Sequence, residues 1–342
     1  MKHHLDNIIP TFNNTRQLVE CLNSIHLSIL GHNRDLVRLI VVNNGHPSLK
    51  DYISEGENLK LIQAGKNTGW EGGLKLGLEI SDAPFVAFCN DDVRFLQGQK
   101  LWLWSMLSTF NNPNVAAVGP SSNFVMGRQS IFAESDYVVE QVKYLIGFFL
   151  LVRRSDLDAA GGIDDSLPGG DDIDLSIRLR DLGKILICRK DVFIYHHGCQ
   201  TGNRVHEGYW NSQAMQEKTN LALIRKHGML KFWQTVVCSW SEVKEYAVPT
   251  TQSDIEGDIC RKHIKGDKVL ELGCGATKTV PNAIGVDIKL KGEKIEFIAQ
   301  TNNKSVAEVN ADVTMELPFP PGSQDCVIAR HILEHCQDTL GT

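Results

Sequence analysis

Phe85-Val86-Ala87-Phe88-Cys89-Asn90-Asp91-Asp92-Val93 is the stretch on which the fold of this chain turns. Five residues of apolar character form a short strand, and it delivers an amide and two carboxylates to its carboxyl end. A capped turn explains such residues, because Asn and Asp favour strand ends. A hard divalent cation explains them too, since Mg²⁺ is commonly held by one or two carboxylates plus substrate phosphates. Working upstream, Leu5–Pro10 reads as a strand. Gln17–Leu30 has the apolar spacing of a helix at Leu18, Cys21, Leu22, Ile25 and Leu30. Val37–Val42 is a continuous apolar strand ending in the turn Asn43-Asn44-Gly45, Leu59–Gln63 is another strand, and Glu71–Ile80 a second helix. Strands alternating with helices predict an α/β fold, a parallel sheet covered on both faces. In such sheets ligands bind beyond the carboxyl ends of the strands, so the polar residues there carry the functional reading.

Working downstream, two more clusters stand out. Gly169-Gly170-Asp171-Asp172-Ile173-Asp174 leads into a helix whose apolar positions 175, 179 and 182 share a face. Asp174 and Arg178 can pair at four-residue spacing and read as structural. Asp171 and Asp172 sit at the helix start, where the dipole favours anions. A cap accounts for one of them; a base beside glycines that leave room for a ligand accounts for the pair. Phe193-Ile194-Tyr195-His196-His197-Gly198 is another strand, this time ending in imidazoles, the commonest metal-ligating side chains.

Composition bounds the partners. The 342 residues carry 35 Lys+Arg against 41 Asp+Glu, a formal net charge of −6, which gives no footprint for binding nucleic acid. At this length two domains are expected. Nine cysteines are scattered singly, with no close pair of the zinc or redox type, and no basic-then-apolar signal segment opens the chain, so a cytoplasmic location is expected. Runs such as Leu145–Val152 fall well short of the about 20 apolar residues that span a bilayer. Peripheral contact through Trp102, Trp104 and Trp233 is open, with buried packing favoured about three to one.

Residues 5–200 resemble the family-2 glycosyltransferases of the GT-A fold, especially the rhamnosyltransferase-like branch. The resemblance rests on pieces in the family's order: Ile8-Ile9-Pro10-Thr11-Phe12-Asn13, Val41-Val42-Asn43-Asn44-Gly45, Asn67-Thr68-Gly69-Trp70-Glu71-Gly72-Gly73 and Asn90-Asp91-Asp92. Then come Gly147-Phe148-Phe149-Leu150 with Arg153-Arg154, Gly161-Gly162-Ile163-Asp164, the Asp171–Arg180 segment and His196-His197-Gly198. It implies that Asp92 holds Mg²⁺ or Mn²⁺ against the donor diphosphate, with Asn90 and Asp91 close by and His196 rather than His197 on the metal. It implies that Asp172 is the general base on the acceptor hydroxyl, with Asp171 the fallback. Thr11 and Asn43 would lie against the nucleotide base and ribose, and Asn67 and Gly69 would belong to the donor loop. The implied reaction is inverting transfer of a sugar from a nucleotide-diphosphate donor to a glycan or lipid-linked acceptor, at the inner face of the membrane in the latter case. Two departures are visible. Asn43 stands where the family usually has Asp, and an amide both accepts and donates. Lys75 stands near the family's usual Asn.

After a mixed apolar and basic helix at Ala222–Trp240 and a polar stretch at Val248–Asp258, a new unit opens. The expected organisation is a glycosyltransferase domain over 1–235, a linker over 236–262 and a second domain over 263–342. Val269-Leu270-Glu271-Leu272-Gly273-Cys274-Gly275 is a strand running into a glycine turn, which lets a ligand approach the backbone. Ala283–Asp287 is a second strand, ending in a carboxylate placed to accept ribose hydroxyls. With Ala311-Asp312, Leu317-Pro318-Phe319, and Asp325–Arg330 followed by Leu333-Glu334-His335, the segment resembles the opening half of a class-I S-adenosylmethionine-dependent methyltransferase. The resemblance implies a partial Rossmann-like domain in which Glu271, Gly273, Gly275, Asp287 and Asp312 meet S-adenosylmethionine. Glu334 and His335 read as helix surface. Four strands against the family's seven suggest a truncated longer protein and argue against methyl transfer by this chain. Beside glycosyl transfer, a sugar-modifying methyltransferase and a nucleotide-sugar-binding module without turnover stay open. A nucleotidyltransferase does not, because no glycine-rich loop follows Ile9.

Overall fold

The computed structural model describes residues 3–29, 31–45, 48–135, 137–198, 212–240, 244–246, 260–275, 278–293 and 304–329. The chain divides into two compact units, Met1–Thr250 and Thr251–Thr342. The first holds strands β1 (Leu5–Thr11), β2 (Val37–Asn43), β3 (Leu59–Gln63), β4 (Phe85–Cys89), β5 (Val93–Phe95), β6 (Val115–Ser121), β7 (Val139–Val142), β8 (Phe149–Arg153), β9 (Ile185–His196) and β10 (Lys244–Glu245). Its helices are α1 (Thr15–Ser28), α2 (Gly69–Ile80), α3 (Trp102–Ser108), α4 (Arg154–Ala159), α5 (Asp171–Asp181), α6 (Gln213–His227) and α7 (Met229–Val236). The strands form one sheet in the order β10-β7-β9-β6-β8-β4-β1-β2-β3, with β5 paired to β9.

The block made of β3, β2, β1 and β4 is parallel, as the strand-and-helix alternation requires. Beyond it the sheet is mixed: β8 runs antiparallel to β4 and β6, and β7 antiparallel to β9. The all-parallel expectation therefore holds only for the first half. Strand direction depends on how the chain returns, and apolar periodicity carries no information about that.

Alternation along the strands divides the interior in two. Leu5 and Ile9 of β1, Val37 and Val41 of β2, and Ala87 and Cys89 of β4 face one core with Leu18, Cys21 and Ile25 of α1 and Leu103 and Met106 of α3. Ile8, Ile40, Val42, Val86 and Phe88 face the other, with Leu74 of α2 and Leu175 and Leu179 of α5. Helix α2 sits close on β1 because two of its glycines carry no Cβ. One added at Gly73 would lie 2.8 Å from Pro10 Cβ, and one at Gly77 would collide with the Ile8 side chain. Ile173 and Ile177 of α5 turn away from the sheet to pack with Tyr144, Leu223 and Phe232.

The single helix expected over 222–240 is two helices broken at Gly228, whose φ of 86° no β-carbon favours. Strand β10, inside the span read as linker, pairs with β7 and so belongs to the first sheet. Trp102 is a core residue: its indole donates to Ser28 Oγ at 3.0 Å and it packs on Phe95 and Phe149. Trp233 is half-exposed. Among the described residues no helix is long and apolar enough to cross a membrane.

The second unit has a parallel sheet of β11 (Val269–Leu272), β12 (Ile284–Asp287), β13 (Val309–Asn310) and β14 (Cys326–Ala329), in the order β13-β12-β11-β14. Val269, Ala283 and Ile328 make its small core.

Candidate active site

The crevice at the carboxyl ends of β1, β2 and β4 is where the strand order reverses, since β1 lies between β2 and β4. Thr11 ends β1 and Asn43 ends β2, both buried. Asn90, Asp91 and Asp92 follow β4 directly. Asp91 is committed to the protein. Its carboxylate accepts from Thr11 Oγ1 at 2.6 Å and from Asn14 Nδ2 at 3.1 Å, closing the start of α1 onto the strand end.

Asp92 is placed differently. Its Oδ1 is buried, has no hydrogen-bond donor, and lies 3.2 Å from His196 Nε2. The other ring nitrogen of His196, Nδ1, is 2.7 Å from the carbonyl oxygen of Phe124. A carbonyl only accepts, so Nδ1 carries the proton and the lone pair of a neutral ring sits on Nε2. That lone pair meets Asn90 Nδ2 at 3.1 Å on one side and the unpartnered carboxylate oxygen on the other. An orphaned buried oxygen beside an imidazole lone pair is a donor set that suits a cation. Among the described residues no cluster of three or more His, Cys, Asp or Glu side chains forms a metal cage, so a divalent ion here would need oxygens from elsewhere, as Mg²⁺ ordinarily does. The neighbouring His197 gives its backbone N–H to the Asp92 carbonyl at 3.0 Å and leaves its Nε2 unpartnered, with its ring edge-on to Tyr195.

Asp171 and Asp172 open α5, half-buried. Asp172 accepts the backbone N–H of Gly147 at 2.9 Å and of Ile173 at 2.7 Å. Burial raises its pKa against the pull of those amides. Burial raises Asp171 further, helped by the charges of Asp172 and Glu71. Glu71 is raised too, first by burial and then by the surrounding carboxylates Asp165, Asp172 and Asp164. Gly147 and Phe148 connect this acidic corner to the histidine. Gly147 bonds Asp172, while the Phe148 carbonyl accepts Asn90 N–H at 2.9 Å and its ring stacks on His196 at 5.2 Å.

The glycine pair before α5 leaves room, but for the protein itself. A Cβ on Gly170 would lie 2.9 Å from Thr219 and 3.0 Å from Leu223, so what approaches closely there is α6 and not a ligand. Asp174 is fully buried, facing a guanidinium, an ammonium and an imidazole. Arg178 Nε donates to it at 2.8 Å, and Lys226 and His227 of α6 reach it at 2.6 and 2.7 Å. Its i,i+4 partner was legible; the two from α6 were not.

On the donor side, the Asn43 amide donates to Gln63 Oε1 at 3.0 Å and its oxygen accepts Gly45 N–H at 3.0 Å. Asn67 Oδ1 accepts the N–H of Gly69, whose φ is 74°. Asn44 is the residue that organises this loop: its oxygen accepts Thr68 Oγ1 at 2.7 Å and its amide donates to the Gly69 carbonyl at 2.8 Å. Sequence alone gave Asn44 only a place in its turn, and gave Asn14 and the Asn123-Phe124 pair no individual role. Asn14 and Asn44 had a signal, as polar residues directly beside strand ends; Asn123-Phe124 had none, because its role depends on the fold bringing it to His196.

In the second unit Gly273 and Gly275 have φ of 63° and 54°, and a Cβ on Gly275 would meet nothing within 4 Å. Asp287 Oδ2 accepts Gly275 N–H at 3.0 Å. Glu271 is turned into the protein, accepting Thr279 N–H at 2.8 Å and Thr279 Oγ1 at 2.7 Å. Asp312 caps its own turn at Thr314. Glu334 and His335 lie outside the described residues.

Comparison with known proteins bears on the family and the fold. Residues 7–159 match the model of the family described as Glycosyl transferase family 2. An uncharacterized protein of Mycobacterium bovis is 30% identical over 208 residues, which make up 56% of this chain and 75% of that protein. The pre-mycofactocin glycosyltransferase of Mycobacterium tuberculosis is 26% identical over 194 residues, 52% of this chain and 39% of that enzyme. Among solved structures, a mannosyltransferase from Pyrobaculum calidifontis in complex with GDP-Man and Mn²⁺ superposes with a TM-score of 0.52 at 16% identity, covering 70% of this chain and 69% of that one.

Proposed function

We propose that this chain, which belongs to glycosyl transferase family 2, is an inverting, metal-assisted transferase that uses Asp172 as general base on the acceptor hydroxyl. The observation that carries the reading is the buried, unpartnered Asp92 oxygen 3.2 Å from His196, joined through Gly147 and Phe148 to Asp172. Asp92 and His196 would hold a divalent cation, Mg²⁺ or Mn²⁺, which when bound offsets charge building on the diphosphate leaving group. Asn90 orients the imidazole, and Phe124 fixes its tautomer through Nδ1.

Displacement at the anomeric carbon also needs the incoming hydroxyl to lose its proton. Asp172, raised by burial above the usual carboxylate range and held by two backbone amides, is the carboxylate placed to take that proton. Burial and the charges of Asp172 and Glu71 push Asp171 up further. The donor would lie along Thr11, Asn43 and the Asn67–Gly69 loop. Asp91 serves as a lock under that surface. The acceptor is a glycan or a lipid-linked glycan, met on the cytoplasmic side. Asp172→Asn should keep nucleotide-sugar binding and lose transfer; turnover retained by that variant would remove the assignment.

A second reading concerns residues 263–342. The parallel order β13-β12-β11-β14, the open glycine turn and Asp287 at a strand end support an S-adenosylmethionine site. Gly273, Gly275 and Asp287 suit that cofactor; Glu271 serves the loop instead. Titration calorimetry with S-adenosylmethionine tests it, and absence of heat at millimolar ligand removes it.

A further inference from the structure

We propose that Asn123 is a positioning residue for the candidate metal site, its amide standing in for a neighbouring strand at His196 and so setting where that imidazole presents its lone pair. The proposal rests on the reading of Asp92 and His196 as the residues that hold a cation. Strand β6 pairs with β9 as far as Pro120; the register then shifts, and the pairing ends at Ser121. From there three successive side chains take hold of alternate β9 carbonyls. Ser121 Oγ donates to Val192 at 3.0 Å, Ser122 Oγ to Ile194 at 2.7 Å, and Asn123 Nδ2 to His196 at 3.0 Å. Asn123 does more than the two serines, because its Oδ1 also accepts the His196 N–H at 2.9 Å. One amide therefore satisfies both backbone groups of one residue, as a paired strand would. An amide is suited to this, since it carries an acceptor and donors in one plane, where a carboxylate only accepts. The next residue is held by the chain of Asp92 itself, whose carbonyl accepts His197 N–H at 3.0 Å.

The ring is fixed from the same segment. Phe124 places its carbonyl 2.7 Å from His196 Nδ1, and its own ring meets the imidazole edge-on at 5.7 Å. A neutral imidazole has two tautomers, and only the one protonated on Nδ1 leaves Nε2 free to face a cation. Holding the His196 backbone against Asn123 keeps Nδ1 within reach of the Phe124 carbonyl, and with it the lone pair beside the Asp92 oxygen. Such outer contacts commonly govern how well a histidine binds metal. The clamp arrives preset, because the loop that carries it is anchored on its far side. Ser122 N–H donates to the Gln129 carbonyl at 2.9 Å, and the Ser122 carbonyl accepts Ile131 N–H at 3.0 Å. Arg128 is buried and bonds Glu140 twice, at 2.9 and 2.6 Å. Gln129, also buried, donates to the Pro120 carbonyl at 3.0 Å and accepts Ile146 N–H at 2.6 Å.

The test uses the full chain and Mn²⁺ alone. Asn123→Ala adds no bulk and removes both bonds; its calorimetric Mn²⁺ affinity should fall about tenfold while the protein still melts cooperatively. Asn123→Leu, close to asparagine in size, repeats the deletion without leaving a gap and should behave alike. Asn123→Gln keeps an amide and should recover part of the loss. A role in stability alone would leave the imidazole as it is, so the second readout is taken without metal. Ring-nitrogen NMR of histidine-labelled protein, at an alkaline pH where imidazoles are neutral, reports the tautomer, and the His196 signals are those missing from His196→Ala. The wild type should show the Nδ1-protonated form, and Asn123→Ala a mixture of both. Unchanged Mn²⁺ affinity, or an unchanged tautomer, in the alanine and leucine variants would overturn the clamp. His196→Ala, titrated with Mn²⁺ alongside, separates the two levels. If it binds the metal as the wild type does, the metal reading falls and this proposal with it. If it binds weakly while Asn123→Ala binds normally, only the clamp fails.

Discussion

Asp92 and His196 are adjacent only because β5 pairs antiparallel with β9, setting Val93 opposite His196. A strand-end carboxylate and a strand-end imidazole were each visible in the sequence, but 104 positions separate them (196 − 92) and nothing local says that they meet. Replacing His196 by Ala should weaken Mn²⁺ binding by about 10- to 100-fold while leaving the fold intact. Isothermal calorimetry with the metal alone checks this. The carboxyl corner makes a pH prediction. Burial, and for Asp171 the neighbouring charges as well, raise Asp171, Asp172 and Glu71. The base must be ionised to work, so the acid limb of the kcat/KM profile should lie above the ordinary carboxylate range near about 4, with activity lost as pH falls through it. Glu71→Gln removes one negative neighbour of Asp171, so the Asp171 carboxyl, followed by NMR titration, should titrate at lower pH; an unmoved carboxyl would mean Glu71 does not sense it. Asn43, expected to lie against the nucleotide base and ribose, sits in a side-chain network of its own. It is engaged with Gln63 and Gly45, so an Asp there would repel Gln63 Oε1 until that amide turns.

Helix α2 was placed correctly from periodicity to within two residues at its start, and its closeness to β1 follows from Gly73 and Gly77. Gly77→Ala would drive a methyl group into Ile8 and should lower stability by about 1–3 kcal/mol, measured by denaturant unfolding. Between α5 and α6 the tie is Asp174. Burial alone would raise this carboxyl, but hydrogen bonds from Lys226 and Arg178 outweigh it and hold its pKa below the usual range. A carboxyl lowered by folding stabilises the native state above its unfolded pKa, and that contribution is lost as pH falls through the folded value. Asp174→Ala should cost about 1–3 kcal/mol by removing the buried acceptor that Arg178 and Lys226 share, and the loss should shrink in acid. The sequence showed the Arg178 half of this cluster through i,i+4 spacing. Lys226 and His227 lie roughly fifty residues away, and only helix packing brings them in.

The two units have separate cores, which leads to a test on the molecule as a whole. A chain ending at Thr250 should keep its melting temperature and metal-dependent donor binding, because the described side chains of the donor and base sites all belong to the first unit; loss of either would show that the second unit completes the site. Sequence alone determined the strand-and-helix alternation, the polar residues at strand ends and the open glycine turn of the second unit. These are local properties, set by side-chain periodicity and by the few residue types that tolerate strand ends and left-handed turns. Tertiary structure decided which of those polar residues act together. The antiparallel half of the sheet brings Asp92 to His196, and the Gly147–Phe148 segment links that pair to Asp172. Strand direction and packing between distant segments follow from the path of the whole chain, because the free energy of closing those long loops is recovered only in contacts that no short stretch of sequence contains.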